Sequence, residues 1–238
     1  MNKLIPFAAA VVALMIAGCG GDDTTVVGRS PRIRALNAVY KQDVLVQFTE
    51  TDERPALQYG GLSPYVISDN EEQNVRFVDP TTRTVFASAP GTLFRNNTYY
   101  TVVGVGGSAN DREAFVIEDR EFDDPDNDEI NVRFVHAAKH TGVDNVDVFF
   151  VRPDTDITNL APDGNDVDYK EATDYRSYGQ GNWEVIVRTQ GGRVLGRETV
   201  NLAGGENYTV FILSNDLTNG GAETTQVVAY AEGASTED

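Results

Sequence analysis

Asn131-Val132-Arg133-Phe134-Val135-His136-Ala137 repeats, 99 positions on, the run Arg32-Ile33-Arg34-Ala35-Leu36-Asn37-Ala38. Further matches follow in the same order. Val44-Leu45-Val46-Gln47-Phe48 pairs with Val146-Asp147-Val148-Phe149-Phe150, and Leu62-Ser63-Pro64-Tyr65 with Ala172-Thr173-Asp174-Tyr175. Val75-Arg76-Phe77-Val78 pairs with Val185-Ile186-Val187-Arg188, and Tyr100-Thr101-Val102-Val103 with Tyr208-Thr209-Val210-Phe211. Two copies of one module account for this most simply. The offset grows from 99 to 110, and most of the growth falls around 153–170, which places an insertion in a loop of the second copy.

The repeated runs are rich in β-branched and aromatic residues and are bounded by Gly, Asn, Asp or Pro, which is strand composition. No stretch beyond the leader sustains a helical period. Turn signals such as Gly191-Gly192 and Ala203-Gly204-Gly205 recur at the spacing of sandwich strands. The expected fold is therefore all-β, with two tandem immunoglobulin-like antiparallel β-sandwiches of roughly seven strands each. Barrel closure is the alternative that pattern alone leaves open. Lacking a sandwich disulfide, Trp183 should pack against aliphatic neighbours.

The N-terminus carries a second pattern. Leu4 to Ala17 is an apolar run of 14 residues behind Asn2 and Lys3, too short for a spanning helix of about 20 residues and suited to a cleaved signal. It ends in Ile16-Ala17-Gly18-Cys19, which resembles the lipobox of bacterial lipoproteins and contains the only cysteine of the chain. That resemblance implies removal of residues 1–18 and acylation of Cys19, so that the protein is held on a membrane. Gly20 in place of Asp after the cysteine implies the outer membrane if the host is Gram-negative. The expected organisation is signal peptide 1–18, lipidated tether 19–30, first sandwich 31–120, acidic linker 121–129, second sandwich 130–232 and polar tail 233–238.

The chain has 19 Lys and Arg against 37 Asp and Glu, a formal charge of −18. Such a surface repels nucleic acid, so no nucleic-acid partner is expected. An acylated Cys19 leaves no thiol for disulfides, zinc or catalysis.

Several motifs resemble the bacterial and archaeal envelope family catalogued as domain of unknown function 4397. They are Val132-Arg133-Phe134-Val135-His136-Ala137-Ala138, Asn145-Val146-Asp147-Val148, and Val200-Asn201-Leu202-Ala203-Gly204-Gly205-Glu206-Asn207-Tyr208-Thr209-Val210. The first copy is more diverged. It keeps Leu57-Gln58-Tyr59-Gly60-Gly61-Leu62-Ser63-Pro64-Tyr65, with Asn37 in place of His136 and Thr98-Tyr99 in place of Glu206-Asn207. The resemblance implies tandem β-sandwiches on secreted or lipid-anchored proteins, and no activity.

Candidate chemistry is sparse. His136 and His140 straddle a strand end and a turn, where a core or turn-bonded histidine explains them better than zinc. No Gly-x-Ser-x-Gly elbow is present, and no histidine is spaced to serve Ser63 or Ser177 in a triad. Gly104-Val105-Gly106-Gly107 lacks the Lys-Ser or Lys-Thr of a phosphate loop. Carboxylates are plentiful, and solvated surface charge is their ordinary role. No catalytic residue is assigned.

The sharpest non-structural signal is the acidic linker. Asp124, Asp126 and Asp128 alternate like the first ligands of a calcium loop, although Glu129 and Val135 occupy the places that a helix-flanked loop gives to Gly and bidentate Glu. They are candidate calcium ligands at an interdomain site, set against a solvated, self-repelling spacer. Asp154, Asp156, Asp163, Asp166 and Asp168 pose the same question more weakly. The expected role is a non-catalytic envelope module, with the enlarged loop Asp154 to Lys170 as contact region for an envelope protein or polysaccharide. The alternatives are a calcium-dependent enzyme, or accessory subunit of one, acting on polysaccharide, and a stiff spacer.

Overall fold

The computed structural model describes residues 30–48, 54–68, 74–89, 94–107, 111–119, 125–139, 143–216 and 224–232. The leader, Cys19, Asp124 and His140 lie outside them. Seven strands form the first half: β1 Arg32–Val39, β2 Leu45–Gln47, β3 Val66–Ile67, β4 Arg76–Val78, β5 Val85–Ser88, β6 Tyr99–Gly106 and β7 Glu113–Asp119. The second half has β8 Glu129–His136, β9 Asn145–Val151, β10 Gly164–Asp168, β11 Arg176–Gly179, β12 Gly181–Arg188, β13 Val194–Leu202, β14 Glu206–Asp216 and β15 Thr224–Glu232. Among the described residues there is no helix. The all-β fold in two sandwich-like halves is the expected one.

Each half has an inner and an outer sheet. The inner sheets, β3-β1-β6-β7 and β11-β8-β14-β15, share one wiring; the outer sheets are β2-β4-β5 and β10-β9-β12-β13. Two pairs depart from the antiparallel expectation. β1 runs parallel to β6 and β8 parallel to β14, in the same relative register: Arg34 lies opposite Thr101, and Arg133 opposite Thr209. Parallel neighbours need a long crossover. Here the outer sheet is that crossover, since the chain leaves the end of β1 or β8, builds the outer strands, and returns to the starting end.

Side-chain alternation then sorts the inner strands into two faces. Ile33, Ala35, Val39, Tyr100 and Val102 point to the first sandwich core, with Phe77 and Phe94. Val132, Phe134, Tyr208, Val210 and Ile212 point to the second, with Phe150, Val185 and Val187. The opposite faces are also buried. Leu36, Ala38, Val103 and Val105 meet Val135, Ala137, Phe211 and Leu213 in a third cluster that joins the halves. The molecule is thus a four-layer stack, outer-inner-inner-outer, and strands covered on both sides read as nearly unbroken apolar runs.

Two details reflect close packing. Gly104 passes over the Phe77 ring, where a Cβ would come within 2.6 Å of the ring. On β13, a Cβ at Gly196 would lie 2.2 Å from Thr225 Oγ1, so only glycine lets this outer edge close against β15. The insertion in the second half supplies a strand, β10, that the first half's outer sheet lacks.

Candidate functional site: the joint and the lateral groove

Charged residues occupy one end of the buried face between the halves. Arg34 on β1 and Arg133 on β8 hold equivalent places in the repeat, and both are buried along with Asp119 and Glu232, the last residues of β7 and β15. Each arginine makes the same local set of contacts. Arg34 Nε donates to Thr101 Oγ1 at 2.8 Å, and Arg133 Nε to Thr209 Oγ1 at 2.8 Å. The guanidinium of Arg34 sits 4.6 Å from the Tyr65 ring centre, and that of Arg133 4.9 Å from Tyr175. Tyr65 donates to Asp119 at 3.0 Å, and Tyr175 donates to Glu232.

The ion pairs cross the boundary reciprocally. Arg133 Nη2 of the second half pairs with Asp119 of the first, while Arg34 Nη2 of the first reaches Glu232 Oε1 of the second at 3.2 Å. Arg133 also pairs with Glu232 at 2.8 Å and donates to the Glu118 carbonyl at 2.9 Å. Two cations face two carboxylates, so the cluster is formally neutral, and its threonine and tyrosine hydroxyls share in satisfying it. Burial works against the Arg133 cation. The Glu232 and Asp119 carboxylates more than offset it and hold its pKa above the usual value. Burial first, and the neighbouring carboxylates next, push the Tyr65 hydroxyl well above the ordinary tyrosine range; Tyr175 rises by burial and by Glu232, opposed by Arg133.

Around the apolar part of the joint, further contacts cross it. Tyr40 donates to the Asn215 carbonyl at 2.9 Å, Tyr59 to that of Ser214, and Tyr230 back to that of Gly60. Lys170 pairs with Glu113 at 2.9 Å. Gly60 and Lys170 are equivalent positions with the same left-handed backbone, φ 78° and 72°. None of this joint was singled out from sequence, although a signal existed: an arginine in the centre of an apolar strand, at one position in both copies, has to be buried or to end the strand.

Asn37 and His136, the other paired polar positions, tie strand ends to loops. Asn37 Nδ2 donates to the carbonyls of Gln42 and Leu57 at 2.7 and 2.9 Å, and its Oδ1 accepts from Val39 N at 2.9 Å. His136 is fully buried, with Nδ1 3.1 Å from the Val167 carbonyl and its ring edge-on to Tyr169. Trp183 is buried too, but its neighbours correct the expectation of aliphatic packing. It stacks on Phe150 at 4.4 Å, meets Tyr178 edge-on, carries the Arg152 guanidinium 3.9 Å above it, and donates to the Gly179 carbonyl at 2.9 Å.

The open side of the second sandwich has a groove of about 410 Å³ between β10 and the approach to β11. Asp163, Asp166, Glu171, Asp174 and Arg176 line it, with backbone of 164–167 between them. Asp163 is held firmly, accepting from Phe150 N and Tyr178 OH, each at 2.8 Å. Asp166 Oδ1 accepts from Gln190 Nε2 at 3.0 Å, and Gln190 also binds Asp147. Asp154 and Asp156 lie exposed in the loop before β10, where Asp156 caps a turn at Thr158. Asp168 is exposed at the end of β10. Asp126 and Asp128 are exposed ahead of β8, with Glu129 N bonded to the Asp126 carbonyl. Asp124, their expected partner, lies outside the described residues. Among the described residues, no three His, Cys, Asp or Glu side chains are grouped to hold a metal ion.

Comparison with known proteins adds a family and two distant structures. A family model for "Domain of unknown function (DUF4397)" matches residues 31–149, from the start of β1 into β9. No curated protein sequence matches. The carbohydrate-binding module CBMbc of family 26, from Eubacterium rectale Amy13K and crystallised with maltoheptaose, is 10% identical, with 86% of this chain and 98% of that one covered and a TM-score of 0.27. A Bacteroides fragilis protein assigned provisionally to cell adhesion is 11% identical over 86% of this chain and 98% of its own, with a TM-score of 0.20. At these TM-scores the likeness says nothing about what this chain binds.

Proposed function

The chain belongs to the DUF4397 family, and on that premise we propose that it is a non-catalytic module held on the cell envelope by an acylated Cys19, with the groove beside β10 and β11 as its contact site for envelope polysaccharide. The observation that carries this reading is the chemistry of the groove. Four carboxylates and one guanidinium line it, together with a strand edge. Carboxylate oxygens accept from sugar hydroxyls, the guanidinium donates to them, and at the strand edge amides donate and carbonyls accept. Fixed acceptors such as Asp163 are already oriented by the fold, so little ordering is left to oppose binding. The joint serves the same role indirectly, because it presents the groove on a body whose halves are locked together.

The test is titration of envelope polysaccharide fractions into the purified lipidated protein, once with calcium and once with chelator, for the native chain and for Arg176→Ala and Asp174→Asn. Saturable binding that weakens about tenfold or more in either variant, a loss of roughly 1.4 kcal/mol or more, is the expected result. Binding unchanged by both variants would remove the groove from the account. Release of new reducing ends would contradict the non-catalytic reading, and dependence on calcium would give Asp126 and Asp128 a part in it.

A further inference from the structure

The topology fixes which end of the molecule the tether leaves from. β1 begins two residues after Ser30, and Arg32 at its start lies opposite Tyr99 and Ile67. β7 ends beside Tyr99 at Asp119. The second half is aligned the same way, because Arg133 on β8 and Glu232, the last residue of β15, meet Asp119, the last residue of β7, and Arg34, two residues into β1. At the opposite end Tyr40 reaches Asn215. One end of the stack therefore holds Ser30, the end of β7, the start of β8 and the end of β15. The loop 152–163 belongs to it as well, since β9 ends at Val151 opposite Glu184, near the start of β12.

The exposed large aliphatic side chains divide between the ends. Ile67, 74% exposed, and Leu160, 45% exposed, are at the tether end. Val85 and Val194, 46% and 48% exposed, are at the other, opposite Val78 and Arg188 respectively. Building on the acylated Cys19 of the preceding reading, we propose that the end carrying Ser30, Ile67 and Leu160 faces the lipid surface, with Ile67 and Leu160 entering the headgroup layer, and that the end carrying Val85 and Val194 points outward.

Distances favour this arrangement. The eleven residues from Gly20 to Ser30 can reach at most roughly 36–40 Å. The eight-residue inner strands are already about 26 Å long, so bringing the far end to the membrane would use up most of that reach in running back along the stack. The near end needs no such extension. The enlarged loop of the second half, singled out in the sequence as a contact region, then has its tip toward the lipid, while β10 rises from it to form the lateral groove.

The absence of any cysteine besides Cys19 makes the test direct. Ile67→Cys, Leu160→Cys, Val85→Cys and Val194→Cys, each in the full lipidated protein, are labelled with an environment-sensitive fluorophore and reconstituted in phosphatidylcholine vesicles. A neutral lipid is used because the acidic chain would be repelled by an anionic one. A lipid bearing a headgroup nitroxide is then added. Quenching several-fold stronger at positions 67 and 160 than at 85 and 194 is expected. Equal quenching at both ends, or the reverse order, overturns the orientation while leaving the anchor intact. A mass spectrum showing unmodified Cys19, with no incorporation into vesicles, overturns both.

Discussion

Arg133 is the residue on which the joint turns: both arginines pair with carboxylates of both halves, but Arg133 hydrogen-bonds Asp119 and Glu232, whereas Arg34 hydrogen-bonds only Glu232 and stands 3.7 Å from Asp119. Replacing it by Met keeps much of the volume but leaves Asp119 and Glu232 buried with only Arg34 for company. Denaturant unfolding should show a loss of about 3–5 kcal/mol. Arg34→Met should cost clearly less, since Arg133 still serves both acids; equal costs would show that the pairs are independent. Tyr65 and Tyr175 give the joint a pH dependence. Their folded pKa values are raised, so the protonated hydroxyls stabilise the fold fully below the unfolded tyrosine pKa near 10. That stability is lost as pH rises from there toward the raised folded values. Thermal midpoints measured from pH 8 to 11.5 should stay level up to about pH 10 and then fall, and the fall should be weaker in a Tyr65→Phe and Tyr175→Phe double variant.

At the scale of elements, strand composition and the repeat were legible because β-branched and aromatic runs must be strands once no helical period competes. The parallel pairing of β1 with β6 and of β8 with β14 was not, since alternation tells which residues share a face and not which strand lies alongside. The burial of both inner-sheet faces was written in Leu36-Asn37-Ala38 and Val135-His136-Ala137, where apolar residues fall on the face away from the sandwich core. Trp183 was legible as core but its aromatic surroundings were not, because Tyr178 lies on β11 and Phe150 on β9. Trp183→Ala should destabilise by about 3–5 kcal/mol in denaturant unfolding. Gly196→Ala tests the closed edge: its Cβ has no room beside Thr225, and a loss of about 1–3 kcal/mol is expected. A neutral result would mean that β13 and β15 can separate at no cost.

At the scale of the whole molecule, the lipobox-like Ile16-Ala17-Gly18-Cys19 and the family resemblance set the expectation of an envelope module, while the groove could not be foreseen because residues 163–167 and 171–176 become its two sides only through folding. Cys19→Ala should move the protein from the membrane to the soluble fraction, and continued sedimentation with membranes would contradict the lipid anchor. The two halves are one body, joined through a buried ionic cluster and an apolar seam, and not two beads on a linker. Scanning calorimetry of the purified protein tests this most directly. A single transition whose calorimetric and van't Hoff enthalpies agree, and which splits in Arg133→Met, is the predicted result; two separate transitions in the native protein would contradict it.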